Sequence, residues 1–241
     1  MKTIKFFTSI SPKHHNVEVQ KKAIATMLIV GDVVSLNHPS EIDVLVAEYP
    51  NVQFVETRFT FEQRFEKPLV GISAVMNEIK SQPANQLCCI INSDIMLVGN
   101  FPIDTVVDIA GKGVLYLHRW DLDEKNELKL YNLGVDAMFF YPECANLIPQ
   151  TTYCFGQTYW DLYYPWAFAM AGFQIYSITD EPMIIHKVHP AQYKPEHWEA
   201  MGKYTAFLTG RNQSPAETSK YLYSFLRQIT IFKPFKKIDN E

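Results

Sequence analysis

The amino-acid sequence predicts a mixed α/β fold: a mostly parallel central sheet flanked by helices, with a helical extension towards the C-terminal end. Three observations carry that expectation. Strand-like and helix-like stretches alternate four times in about ninety residues, the pattern of right-handed βαβ crossovers. The run Leu87-Cys88-Cys89-Ile90-Ile91 is too short for an independent helix and apolar throughout, as a strand buried on both faces must be. The 241 residues, 47% hydrophobic and 20% charged, suffice for one large core and exclude a disordered chain.

Taken in order, Ile4 to Ile10 is β-rich and runs into the loop Thr8-Ser9-Ile10-Ser11-Pro12. Asn16 has helix N-cap character, and Val17, Gln20, Ala23, Ile24, Met27 and Leu28 follow at helical spacing until Gly31-Asp32. Val33-Val34-Ser35-Leu36 is a second strand, and Ser40 to Glu48 a short helix stopped by Tyr49-Pro50. Val52 to Val55 is a third strand. From Pro68 to Lys80 one helical face collects Leu69, Ile72, Val75, Met76 and Ile79, and Leu87 to Ile91 is the fourth strand.

The second half is less regular. Val114 to Leu117 reads as a strand leading to Arg119-Trp120-Asp121, and Asp121 to Lys129 as a loop or hairpin tip. Leu133 to Tyr141 is an apolar strand with Asp136 inside it. Phe155 to Asp161 is a turn; Pro165 cannot sit in an ordinary helix interior, which places the helix at Trp166 to Ala171 and Asp161 in the turn before it. Phe173 to Tyr176 is another strand, and His186-Lys187-Val188-His189 follows. After Pro215, Tyr221, Leu222, Phe225 and Leu226 share one side of a helix that ends in the basic segment Lys233 to Lys237. With no linker or internal repeat, residues 1–190 are expected to form the main domain, with 191–241 packed on it.

Composition excludes several function classes. A net charge of -4 argues against a nucleic-acid partner bound through its phosphates. No segment reaches the roughly 18–20 apolar residues of a membrane span. Met1 to Phe7 lacks the apolar core of a signal peptide, so a cytoplasmic location is expected, with the inner face of a membrane as an alternative for the aromatic and basic segment Tyr221 to Lys237. The four cysteines contain no CxxC pair, so neither a zinc site nor a disulfide framework is expected. No GxGxxG follows the first strand and no Walker pattern occurs, which disfavours an ordinary dinucleotide or P-loop site.

The candidate chemistry begins where the fourth strand stops, at Asn92-Ser93-Asp94. A carboxylate at a buried strand end must be paired, hydrogen-bonded or metal-bound, and ligands collect at that end of open α/β sheets. A plain turn cap is the alternative. Asp136, inside an apolar strand, either takes a site role or pairs with Arg119. His186 and His189 are three apart; in an extended segment they face opposite ways, so only one of them is expected at a metal or phosphate. Asp161 and Gly172 lie eleven residues apart (161 to 172).

The order of these motifs resembles GT-A-type glycosyltransferases, a Rossmann-like nucleotide-diphospho-sugar transferase superfamily, and among them the inverting family 2-like enzymes. The resemblance covers roughly residues 3 to 190 and rests on the order and spacing of short motifs. Asn92-Ser93-Asp94 is similar to the family's DxD element with Asn in first place, and Asp161 to its acidic helix start. The resemblance implies a nucleotide-diphospho-sugar donor, an acceptor hydroxyl on a glycan, a lipid-linked or a small molecule, and inverting transfer. It makes Thr8, Ser9, Arg64, Asn92, Ser93 and Asp94 the donor side, with Arg58 and Lys67 as neighbours of Arg64 in the same stretch. Asp136, Arg119 and Trp160 become the acceptor or sugar side, with Tyr159 and Trp166 offering further aromatic faces. It makes Asp161 the catalytic base, against the bland role of helix N-cap. Asp94, with His186 or His189, would hold Mn²⁺ or Mg²⁺. Two other classes remain open: a nucleotidyltransferase, disfavoured because Thr8 to His15 contains no glycine to grip a triphosphate, and a non-catalytic nucleotide- or carbohydrate-binding protein.

Overall fold

The computed structural model describes residues 4–131, 134–190 and 193–235. Leu133, Lys236 and Lys237, which figure in the expectations above, lie outside the described residues. The first half runs β1 (Ile4–Thr8), α1 (Val17–Val30), β2 (Gly31–Asn37), α2 (Pro39–Glu48), β3 (Gln53–Glu56), α3 (Glu62–Phe65), α4 (Ile72–Lys80) and β4 (Leu87–Ile91). Then come β5 (Ile95–Leu97), α5 (Ile103–Ala110), β6 (Val114–Leu117), β7 (Trp120–Leu122), β8 (Leu128–Leu130), β9 (Ala137–Phe140) and α6 (Pro142–Ala145). The chain continues through α7 (Trp160–Met170), β10 (Ile175–Ile178), β11 (Ile184–Lys187), α8 (Pro195–Leu208), α9 (Pro215–Ile229) and β12 (Ile231–Lys233).

Eight strands form the main sheet in the order β12-β10-β6-β9-β4-β1-β2-β3. All its pairings are parallel except those of β9, which runs antiparallel to both β4 and β6. Alternation along β4 divides two cores: Cys88 and Ile90 face one, Leu87, Cys89 and Ile91 the other, and none is more than 3% exposed. The first core is closed by Val75, Met76 and Ile79 of α4, Tyr163, Tyr164 and Phe168 of α7 and Met201 of α8. The second is closed by Ile24 and Met27 of α1, Leu45 of α2 and Val106 and Ile109 of α5. Fully burying one such aliphatic side chain contributes about 1.5–3 kcal/mol, so these two layers dominate the stability.

Local chemistry accounts for the element ends. Asn16 caps α1 by accepting from the Val19 N–H at 3.2 Å. Gly31 opens β2 where a Cβ would stand 1.9 Å from the Ile4 carbonyl oxygen, so the strand begins earlier than the apolar run alone suggests. The helix expected from Pro68 starts only at Ile72, because Val70 bridges Thr60 and Gly71 bridges Cys154. Pro165 lies inside α7, which starts at Trp160 and puts Asp161 in its first turn; this corrects the expectation of a helix beginning at Trp166. Pro165 has no N–H for the Asp161 carbonyl, and its bulky neighbours Tyr163, Tyr164 and Phe168, all buried, keep the helix seated.

A second, four-stranded sheet, β5-β11-β7-β8, is built on the strand ends. β5 follows Asp94 directly and is tied to α1 by the Leu97 N–H donating to Thr26 Oγ1 at 3.0 Å. β11 lies antiparallel to β5 and parallel to β7, with His186 in register with Asp121. The C-terminal segment adds β12 to the edge of the main sheet, and α9 buries Leu222 and Leu226 against Leu162. Among the described residues no helix is long and apolar enough to cross a membrane.

Candidate functional site

Asp94 stands where β4 gives way to β5, its side chain mostly buried, and three imidazoles point at its Oδ2. His189 Nε2 is 3.3 Å away, His14 Nε2 3.6 Å and His186 Nε2 3.9 Å. Burial alone would raise the carboxyl, but hydrogen bonds from His14 and His189 and the nearby charge of His186 and His14 outweigh it, and Asp94 is held well below the usual carboxylate range. Asp94, His186 and His189 place one ligand atom each within 4.8 Å of one another. The His15 ring packs on His14 and His189, at centroid distances of 4.3 and 4.0 Å.

Both late histidines therefore reach one point, contrary to the expectation from an extended segment. The period-two alternation ends with β11 at Lys187, and His189 sits past it, where its Nδ1 lies 2.9 Å from the Pro190 carbonyl oxygen.

A polar chain leads away from this centre. His186 Nδ1 meets Asp121 Oδ1 at 3.0 Å, and the same oxygen accepts from Arg119 Nε at 2.9 Å. Arg119 Nη1 reaches Asp136 Oδ2 at 3.3 Å, and the guanidinium lies 4.1 Å over the Tyr131 ring. Asn92 Nδ2 donates to Asp136 Oδ1 at 2.9 Å. That bond gives a physical reason for Asn in the first place of the acidic triplet: an aspartate there would set two carboxylates face to face. Of the two roles read for Asp136, the pairing with Arg119 is present.

Asp161 occupies the first turn of α7 after Tyr159, which adopts a left-handed backbone at φ 75°. Its carboxyl faces Gly134, where a Cβ would lie 2.4 Å from Asp161 Oδ2, so the missing side chain makes room for it. Burial and the charge of Asp136 push its pKa up to about 7, opposed by Arg119 and by hydrogen bonds from the N–H groups of Asp161 and Leu162. Two carboxyl groups are thus shifted in opposite directions: Asp94 is held well below the usual carboxylate range and Asp161 is pushed up to about 7.

The other sequence-predicted residues fare differently. Thr8 is fully buried, while Ser9 at the head of the following loop is partly exposed. Ser93 Oγ is 2.9 Å from the Gln20 side-chain amide, which also contacts Tyr49 Oη at 3.2 Å. Arg64 is an exposed residue of α3 with its guanidinium 5.3 Å from the Phe65 ring centroid. Trp160 is 2% exposed and packs edge-on against Phe155, so its face is closed to a sugar ring; Tyr159, equally buried, donates its hydroxyl to the Pro215 carbonyl. Three residues of the centre were not anticipated: His14, His15 and Asp121. The adjacent histidines just after the first strand were the available signal.

No protein-family model matches the chain, and no curated protein matches it in sequence. Among solved structures, S. aureus TarS 1–349 in complex with UDP-GlcNAc is similar over 94% of this chain and 72% of that one, with a TM-score of 0.53 at 11% identity. A second structure of S. aureus TarS 1–349 gives 0.52 over 93% and 70%, again at 11% identity. At that identity the likeness is one of fold, and the fold around Asp94 is the GT-A type.

Proposed function

We propose that the chain is a glycosyltransferase that moves a sugar from a nucleotide-diphospho-sugar to an acceptor hydroxyl with inversion at the anomeric carbon. The observation that carries this reading is the pair of carboxyl groups, Asp94 and Asp161, shifted in opposite directions, with the Arg119 charge acting on Asp161 and bonded through Asp121 to the His186 that faces Asp94. Environments that push two acids apart assign one to charge stabilisation and the other to proton transfer. The shared fold supports the donor class, since the TarS complex holds a nucleotide sugar.

In the proposed reaction Asp161 accepts the proton of the acceptor hydroxyl while that oxygen bonds to the anomeric carbon on the face opposite the diphosphate. The bond from the anomeric carbon to the diphosphate oxygen breaks, and its electron pair leaves with the nucleoside diphosphate. A carboxylate with a pKa near 7 is well matched to this task at neutral pH. Arg119, oriented by Asp121 and Asp136, supplies a fixed positive group between the two ends of the site. Asp94, His186 and His189 offer one carboxylate oxygen and two imidazole nitrogens, a donor set that fits a divalent cation. Mn²⁺ or Mg²⁺ there would supply Lewis-acid stabilisation to the departing diphosphate.

Asp161→Asn tests the reading, because it keeps the size of the side chain and an oxygen for the first-turn N–H groups of Asp161 and Leu162. A base predicts a loss of about 10²–10⁴-fold in transfer rate with donor affinity retained, and a product of inverted anomeric configuration from wild type. Transfer by the variant within a few-fold of wild type, or retention of configuration, overturns it.

A further inference from the structure

We propose that the groove between the edge strand β3 and helix α4 is a second carbohydrate-binding site, which holds a neutral oligosaccharide away from the candidate functional site. The inference rests on the proposed transfer for its purpose, a grip on a glycan acceptor remote from the reacting bond, and not for its geometry.

The groove encloses a cavity of about 340 Å³, within the range of small-ligand sites. Strand β3 ends the main sheet, so the groove lies between that edge and α4. Two adjacent rows of α4 side chains line it: Ser73, Asn77 and the C-cap Ser81 in one, Ala74 and Glu78 in the other. At the rise of a helix, Ser73 to Ser81 spans about 12 Å. Thr57 and Phe59 stand at the end of the groove where β3 stops. Strands β1 and β2 separate β3 from β4, a distance of about 14 Å at ordinary strand spacing. The groove therefore opens on the same rim of the sheet as Asp94 and shares no residue with the polar network around it.

Its lining suits a sugar. Leu36 and Val55 supply aliphatic surface, and Phe59 remains 44% exposed while lying against Gly71, where a Cβ would stand 2.5 Å from Phe59 Cε1. The missing side chain lets the ring settle on the backbone and turn its remaining surface outward, towards the C–H face of a sugar. Among the described residues the side-chain amides of Asn77 and Gln150 make no hydrogen bond within the chain, and each offers a donor and an acceptor to neighbouring hydroxyls. Thr57 Oγ1 accepts from the Phe59 N–H at 3.1 Å, which leaves its O–H to donate to a ligand. Glu78 Oε1 accepts from Gln82 Nε2 at 3.1 Å, which leaves Oε2 as an acceptor. The loop that carries Gln150 is pinned to α4: the buried Ser73 hydroxyl accepts from the Thr151 N–H at 2.7 Å and donates to the Thr151 carbonyl at 3.0 Å. The charged groups that line the groove are Glu56, paired from outside by Arg58 at 3.7 Å, and Glu78; none of the described lining residues is basic. Phosphate and nucleotide ligands are therefore repelled, and a neutral polyhydroxyl ligand meets acceptors, donors and an apolar face together.

The test is binding of neutral trisaccharides to the full chain with no donor present. Trisaccharides of glucose, mannose, galactose and N-acetylglucosamine, in α and β linkage, are screened by saturation-transfer NMR, and those that bind are titrated by calorimetry. At least one is expected to bind, and Phe59→Ala and Asn77→Ala should each weaken it by about tenfold. Both side chains are exposed, and thermal melts verify that the variants are folded. A tetralysine peptide serves as the rival ligand for the two glutamates. No binding of any trisaccharide, wild-type affinity in both folded variants, or tighter binding of the peptide than of every sugar overturns the proposal. Trisaccharide binding that depends on Phe59 and Asn77, in a chain that transfers no sugar, leaves it standing and overturns the functional reading instead.

Discussion

Under the proposed mechanism, Asp161 ties activity and stability to pH in opposite directions. Its native pKa lies above the ordinary 3.8, at about 7, so the folded chain holds this proton more tightly than the unfolded chain does. The stability this confers is complete below about pH 4 and lost as pH rises through 7, for a total of up to roughly 4 kcal/mol at 1.36 kcal/mol per pKa unit. As the proposed base, Asp161 must be ionised for transfer, so the rate should fall tenfold per unit of pH below about 7. Melting wild type and Asp161→Asn side by side should show no difference at pH 4 and a more stable variant at pH 8. Gly134→Ala checks the space around the same carboxyl. The added methyl would sit 2.4 Å from Oδ2, and displacing a reacting group by about 1 Å costs on the order of 10²-fold in rate. Steady-state kinetics should show that loss while circular dichroism stays native. Asp94 and Asp161 were legible because each ends or begins an element and breaks an apolar neighbourhood. His14 and Asp121 were not, because only the register of β11 with β7 and the fold of the first loop bring them to residues far along the chain. Trp160 misled for a related reason: aromatic content does not say which way a ring faces.

Elements whose ends carry their own chemical signal were read well, and those defined by partners were not. The first four strands and α1, α2 and α4 follow from apolar spacing, caps and glycines, whereas the single turn α3 (Glu62–Phe65) carried no such signal. β5 and β11 are too short to announce themselves and exist because they pair with each other. α7 reads as broken at Pro165, but burial of Tyr163, Tyr164 and Phe168 overrides the proline. α9 is specified locally at its start: Ser214 Oγ accepts from the Glu217 N–H at 3.3 Å, and Glu217 Oε2 accepts from the Ser214 N–H at 3.0 Å. Ser214→Ala should therefore cost about 0.5–2 kcal/mol in chemical denaturation and leave transfer unchanged.

At the scale of the molecule, the segment after residue 190 is part of the fold's closure. Met201 lies in the main core, Tyr116 Oη bonds Thr230 Oγ1 at 2.9 Å, and β12 pairs with β10. A chain ended at Pro190 should lack a cooperative unfolding transition by calorimetry; a sharp transition near that of the full chain would make 191–241 an independent addition.

The reversed strand β9 has a consequence for how the protein is made. β4 gains its neighbour on one side from β1, already synthesised, but on the other only from Ala137–Phe140. At about 5–20 residues per second, the stretch from Ile91 to Ala137 takes roughly 2–9 s to emerge from the ribosome. For that interval an apolar strand with no charged or proline gatekeeper, Leu87-Cys88-Cys89-Ile90-Ile91, presents a bare hydrogen-bonding edge. The nascent chain is most open to chaperone capture, and to pairing with another copy of itself, while β4 is waiting for β9.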